Sequence, residues 1–337
     1  MKRLIVFAAA ASLAACLSIV PSSNNRETFS FAVIGDLGYT VAQEPMVENL
    51  LADLNEATNL SFVVHVGDLG SPFVGSCTNE FQVRRLSQFQ ASVNPLIYTP
   101  GDNDWTDCHE KNAGAFDPLE RLANVRKLFF PNDESLGKRR MALTRQSANP
   151  TRAAYRENTR WSQGGITFIT LHVVGSNNGW GISPAVDAEF RERSNANLEW
   201  MREGFAHARA NESRGVMILQ QGNIFPGITP YPAPPNAPTN GFDDIRAALE
   251  QETIRYGKPV MLVHGDSHFF RVDKPLGVRA AKAPGAAKAV IQPSIENFTR
   301  VEGFGQPNHH WLRITVDDSE GVFTVRQRIV PTNIQKR

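Results

Sequence analysis

Phe29-Ser-Phe-Ala-Val-Ile34 runs straight into Gly35-Asp36-Leu37-Gly38. Six residues that are mostly apolar, closed by a glycine and a carboxylate, read as a buried strand that stops abruptly at an acidic turn. The same sentence recurs along the chain. Ser61-Phe-Val-Val-His-Val66 leads to Gly67-Asp68-Leu69-Gly70, and Pro95-Leu-Ile-Tyr-Thr99 leads to Gly101-Asp102-Asn103-Asp104. Pro259 to His264 leads to Gly265-Asp266-Ser267-His268. Two further runs, Ile166 to Val174 and Val216 to Gln220, read as strands of the same kind. Short runs rich in Val and Ile, bounded by Gly and Pro, suit sheets covered on both faces.

Helical spacing fills the intervals. Met46, Leu50 and Leu54 recur every fourth residue, flanked by Val47 and Leu51. Asp117-Pro118-Leu119-Glu120 combines an N-cap acid with Pro in the first turn, which predicts a helix running to about Phe130, where Pro131 stops it. Phe190, Leu198, Met201 and Phe205 predict another helix, and Ile245 and Leu249 a last one that Gly257 ends. Trp311 to Val316 and Val322 to Val330 alternate with the period of a strand and predict a hairpin turning at Asp317 to Gly321. Pro226 to Asn240 and Arg271 to Lys288 read as long loops inserted into one domain. Alternating strands and helices make the class α/β.

A single Gly-Asp is usually only a turn. Four, each placed directly after an apolar strand, gather carboxylates at one rim, because ligand sites of α/β sheets lie beyond the carboxyl ends of the strands. Several carboxylates at one rim repel one another. Divalent cations relieve that repulsion, and Asp and His are suitable ligands.

The order Asp-x-Gly, Gly-Asp, Gly-Asp-Asn-Asp and a late Gly-Asp-x-His resembles the motif series of the calcineurin-like metallophosphoesterases. The likeness spans about Phe31 to Phe270, and its first element, Gly35-Asp36-Leu37-Gly38, resembles the purple acid phosphatase form. It implies a four-layer α/β/β/α sandwich of two mixed sheets flanked by helices. It also implies two divalent metal ions and two-metal hydrolysis of a phosphate monoester or diester. Residue by residue, Asp68 matches the carboxylate shared by both metals. Asp36 and His268 match ligands of the first metal. Asp102, Gln221 and Asp266 match ligands of the second, with Gln220 or Asn223 as alternatives to Gln221.

The departures from the family pattern carry chemical consequences. Oxygen donors at Gln221 and Asp266 in place of imidazoles favour Mg, Mn or Ca, with Fe and Zn left open. Ser71 stands where the purple acid phosphatases place a Tyr ligand. Asn103 stands where the family has its general-acid His, and Asp104 where the acid orienting that His would be; these two are the catalytic candidates. The substitution at Asn103 keeps a second reading open: a metal-binding or scaffold lipoprotein of the same fold with impaired catalysis. A glycosidase built on paired acids ranks last, because such a pair does not call for four strand-end Gly-Asp clusters. The arginines between Lys138 and Arg160, and His309 with His310, read as surface or structural residues, and Asn177 and Asn178 as weak substrate contacts.

Formal net charge over 337 residues is +1, which argues against a broad nucleic-acid surface or a polybasic membrane patch. The partner that the resemblance implies is a small phosphate ester, recognised locally and not by a broad charged surface. Lys2 and Arg3 precede an apolar run from Leu4 to Ala15 that is too short to span a bilayer. It ends in Leu13-Ala-Ala-Cys16, which resembles a lipobox. This reading makes 1–16 a signal peptide, Cys16 a lipidated residue, 17–26 a tether and 27–337 the folded domain. The expected location is exported, as a periplasmic or outer-membrane lipoprotein that meets the membrane only through its lipid. The two remaining cysteines, Cys77 and Cys108, would then pair in an oxidising compartment.

Overall fold

The computed structural model describes residues 27–225, 240–277, 280–281, 290–291, 293–318 and 322–334. The leader with Cys16, the tether, the Pro-rich loop and part of the 271–288 loop therefore lie outside the described residues.

In chain order the strands are β1 (Phe29–Ile34), β2 (Leu60–His65), β3 (Leu96–Tyr98), β4 (Thr144–Arg145), β5 (Thr159–Gln163), β6 (Ile166–Thr170), β7 (Gly215–Leu219), β8 (Val260–His264), β9 (Arg271–Asp273), β10 (Ala280–Ala281), β11 (Val290–Ile291), β12 (Phe298–Glu302), β13 (Trp311–Val316) and β14 (Phe323–Arg328). They form a five-stranded sheet, β14-β13-β1-β2-β3, and a seven-stranded sheet, β4-β5-β6-β7-β8-β12-β9, with β10 and β11 as a separate pair. Both large sheets are mixed. β1, β2 and β3 run parallel, β13 is antiparallel to β1, and β14 is antiparallel to β13. In the second sheet β6, β7, β8 and β12 run parallel, with antiparallel pairs at both edges.

The period of two along each strand sets the layers. Phe31 and Val33 of β1, with Phe62 and Val64 of β2, point into the space between the sheets. There they meet Trp161, Phe168, Met217, Leu219, Met261 and Val263 of the other sheet. Their neighbours Ala32, Ile34 and Val63 face the opposite way, onto Val47, Leu50 and Leu54 of α1 (Glu44–Glu56), Phe81 and Phe89 of α2 (Asn79–Gln90) and Val125 and Phe129 of α3 (Pro118–Phe129). After a single turn at α4 (Gly175–Asn178), α5 (Pro184–Ala210) and α6 (Asp243–Tyr256) cover the outer face of the second sheet through Trp200, Met201, Phe205, Ile245 and Leu249. The result is the four-layer α/β/β/α sandwich. No helix among the described residues is long and apolar enough to cross a membrane.

Local signals act as read. Asp117 caps α3 by accepting from Leu119 N at 2.9 Å, and Gly257 ends α6 in the left-handed region. The arginines of the 138–160 stretch do structural work in several places. Buried Arg145 donates to the carbonyls of Asn132, Glu134 and Arg156, and Arg156 to the carbonyl of Phe130.

Cys77, just before α2, and Cys108 stand with their Cα atoms 5.7 Å apart in disulfide geometry, across 31 residues of chain. Together with Ser76, which donates to Asn103 O at 3.0 Å, they lie directly behind the Asp102–Asp104 turn. Closing a loop of this length is expected to contribute about 2–4 kcal/mol. Native, unreduced protein should therefore show no free thiol at either position, and reduction should lower the unfolding free energy by that amount. Ready labelling of Cys77 and Cys108 in native protein would contradict this.

Candidate metal centre

Three of the four strand-end turns, those of Asp36, Asp68 and Asp266, deliver their side chains by an unusual backbone. Asp36, Asp68, Asp266 and His268 all have positive φ, at 54°, 60°, 78° and 66°. Such conformations cost roughly 1–3 kcal/mol each in non-glycine residues and persist only where neighbours over-determine them. Here the turns are tied to one another. Asp36 N donates to Gly67 O, Asp266 N to Asp36 Oδ1 at 2.9 Å, Gly265 N to Gln221 O, and Gln306 N to Asp36 O. Glycine is needed where chains approach most closely. A Cβ on Gly101 would stand 2.0 Å from Asp68 Oδ1, and one on Gly265 2.1 Å from Asp36 Oδ2.

The rim brings Asp36, Asp68 and His268 together, with one ligand atom from each within 4.8 Å of the others. His268 is held in a ligand's tautomer. Its Nδ1 donates to the carbonyl of Gln306 at 3.0 Å, so Nε2 keeps its lone pair and faces Asp36 Oδ1 at 3.6 Å. Asp68 accepts from Asn103 N at 3.1 Å, from Asn103 Nδ2 at 2.9 Å and from the Tyr39 hydroxyl. The Tyr39 ring stands edge-on to His268. Asp102 and Asp266 meet beside Gly175; Asp266 Oδ2 accepts from Asn223 N at 2.7 Å, and Asp102 Oδ2 from Ser176 Oγ at 2.9 Å.

The structure shows what several of the candidates are bonded to. Asp104 does not orient the residue at 103. Its carboxylate accepts from Leu69 N, Gly101 N, Tyr98 Oη and Asp68 N at 2.6–3.2 Å, so it fastens the second and third strand-end turns together. Gln221 is buried at the rim, but its Oε1 already accepts from Gly175 N at 2.6 Å. Asn177 and Asn178 serve the backbone, taking Gly241 N, and Val174 N with Arg193, respectively. The structural reading of His309 agrees with its contacts: Nε2 accepts from Gly38 N at 3.0 Å. Tyr39, Asp107 and Ser176 were not among the sequence candidates. Tyr39 carried a usable signal, following Asp36 by three residues within the first strand-end loop.

The electrostatics describe a site short of positive charge. Burial, then neighbouring carboxylates, push the Asp36 and Asp68 carboxyls well above the ordinary carboxylate range, despite the hydrogen bonds each accepts. Burial and Asp107 raise Asp102 to about 8, and burial and Asp102 raise Asp266 to about 7. Burial lowers His268, favouring the neutral imidazole that coordinates metals. Asp36 Oδ2 and Asp102 Oδ1 are buried and find no hydrogen-bond partner among the described residues. A buried carboxylate oxygen in that condition is costly unless a proton or cation meets it. The residues present therefore fit divalent cations, by donor chemistry and by unmet need.

A pH dependence follows. Without cations these carboxyls have raised folded pKa values, so their contribution to stability is present at acid pH and lost as pH rises through about 7 to 8. Bound cations reverse that loss, because ligands bind deprotonated. The rise in melting temperature given by MnCl2 over EDTA is expected to be larger at pH 8 than at pH 5. An equal rise at both would contradict this electrostatic reading.

Comparison with known proteins gives three findings. A family model described as calcineurin-like phosphoesterase matches residues 29–270. No curated protein matches by sequence. Among solved structures, one titled "GAP50 the anchor in the inner membrane complex of Plasmodium" is similar in fold, with TM-score 0.51 and 10% identity over 91% of this chain and 86% of that one.

Proposed function

The chain belongs to the calcineurin-like phosphoesterase family, and from that premise we propose that it is a hydrolase using two divalent cations at the strand-end rim to cleave a small phosphate ester. The observation that supports this most is the convergence of Asp36, Asp68 and His268 within 4.8 Å, with Asp102 and Asp266 beside them. In this reading Asp36 and His268 hold the first cation, Asp102 and Asp266 the second, and Asp68 is shared. When bound, a pair of divalent cations supplies the Lewis acidity that makes water nucleophilic near neutral pH and offsets charge on the phosphoryl oxygens.

The chain's own residues do the rest. Asn103 and Tyr39 aim the Asp68 carboxylate by donating to it. Burial and the Asp68 charge push the Tyr39 phenol well above its usual range, so it stays a donor. The Gln306 carbonyl fixes the His268 ring. Asn103 can place a hydrogen bond on a departing oxygen but cannot protonate it. General acid catalysis contributes typically about 10²–10⁴-fold, so good leaving groups should be favoured by a factor in that range. The same amide supports the second reading, a metal-binding protein without turnover. The exported, lipid-anchored setting belongs to this proposal too; it rests on residues 1–26, outside those described.

Two measurements test it. Turnover of aryl phosphates should require added divalent cation, stop with EDTA and exceed turnover of alkyl phosphates; equal aryl and alkyl rates would show that another group protonates the leaving oxygen. Asp68→Ala should lower both metal content and rate more than Asp36→Ala or His268→Ala does. Asn103→His should rescue alkyl esters only weakly, since Asp104 is already engaged by four donors. Metal uptake without turnover of either ester class would favour the binding-protein reading.

A further inference from the structure

We propose that His309 is a positioning residue of the first cation position: it ties the turn that carries Asp36 to the loop that aims His268. The inference rests on the two-cation reading above and adds a residue outside the strand-end motifs.

The loop between β12 and β13, residues 303–310, meets the rim through its backbone. A Cβ on Gly305 would stand 2.8 Å from Asp36 Cβ and 2.9 Å from the His268 ring. Gln306 then touches both ligands at once. Its N–H donates to Asp36 O at 3.0 Å, and its carbonyl accepts from His268 Nδ1 at 3.0 Å. His309 adds a side-chain tie between the same two segments. It is fully buried, and its ring nitrogens face different parts of the chain. Nε2 accepts from Gly38 N at 3.0 Å, so Nδ1 carries the proton and donates to Pro307 O at 3.1 Å. One ring thus joins Gly38, two residues after Asp36, to Pro307, the residue after Gln306. The contacts close a circuit from Asp36 through Gly38, His309 and Pro307 to Gln306 and back to Asp36, and Gln306 holds His268 from within it.

The surroundings leave this tie little slack. Asn333 Nδ2 donates to His309 O at 2.8 Å, which anchors the base of the side chain. Gly38 is buried, and a Cβ there would stand 2.9 Å from Glu44 Oε1. A buried N–H that loses its acceptor is costly, so the backbone must shift to find another. A shift at Gly38 passes to Asp36 on one side and to Tyr39, the donor to Asp68, on the other. Burial holds the His309 imidazole down to about 4, so Nε2 stays an acceptor at neutral pH. His310 faces elsewhere, its Nδ1 accepting from Val330 N at 3.3 Å.

Calorimetric titration of the full chain with MnCl2, after removal of endogenous metal by chelator, tests this. The wild type should take up two equivalents, and His268→Ala identifies the first position as the step it weakens. His309→Met fills the space without an acceptor. It should lose about 10–100-fold in affinity at that step alone. His309→Gln can place an oxygen near the Nε2 position and should recover most of the loss. If His309→Met does not fold, His309→Asn, too short to reach Gly38, takes its place with the same expectation. Wild-type affinity at both steps in the folded Met or Asn variant, equal weakening of both steps, or a Gln variant no better than Met would each overturn the role of His309 and leave the two-cation reading intact. A wild type that takes up one equivalent or none, or a His268→Ala variant that weakens neither step, would overturn that reading itself, and this proposal with it.

Discussion

Four aspartates, Asp36, Asp68, Asp102 and Asp266, stand at the shared edge of two sheets, and they cannot all be charged there without a counter-charge. Water would normally screen them, but Asp36, Asp68 and Asp102 are almost fully buried. Hydrogen bonds oppose the repulsion only in part: Asp68 accepts from Asn103 and Tyr39, and Asp36 from Asp266 N. Burial still dominates, and the carboxyls remain raised. A fold that keeps such a cluster holds its stability in reserve for a cation. Much of the surrounding construction, from the positive-φ turns to the glycines at closest approach, serves to keep those carboxylates in place.

The two sheets supply the rigidity this requires. Phe31, Phe62, Trp161 and Phe168 pack ring against ring between them. That aromatic layer packs β1 and β2 against the second sheet, from which Asp266 and His268 come. Cross-links such as Asp36 N to Gly67 O and Gly265 N to Gln221 O are backbone bonds, independent of side-chain identity. Asp104 is an exception: one carboxylate serving four donors ties the β2 turn to the β3 turn, and the cysteine pair stands close behind.

The chain announced its fold most clearly where local composition carries the message. Val- and Ile-rich runs ending in Gly-Asp marked β1, β2, β3 and β8 and the carboxylates beyond them. Elements with buried charges were harder to read. α2 buries Gln82 and Arg85 with Phe81 and Phe89, so its apolar stripe is broken; Arg85 is satisfied by Leu69 O and Glu44, residues distant in sequence. β12 hides Arg300 and Glu302 in its five residues for a similar reason, and β4, at two residues, has no period to detect. In the site, Tyr39, Asp107 and Ser176 gain their meaning from loops that cross in space. Asp104 occupied a motif position, yet its role was decided by four donors that the motif does not contain.

The central claim is that this rim exists to hold two cations around Asp68. Anomalous diffraction from crystals soaked in manganese tests it most directly. The account predicts two peaks about 3.5–4 Å apart, one beside Asp36 and His268, the other beside Asp102 and Asp266, with Asp68 between them. A single peak, or none within reach of Asp68 at saturating manganese, would contradict it.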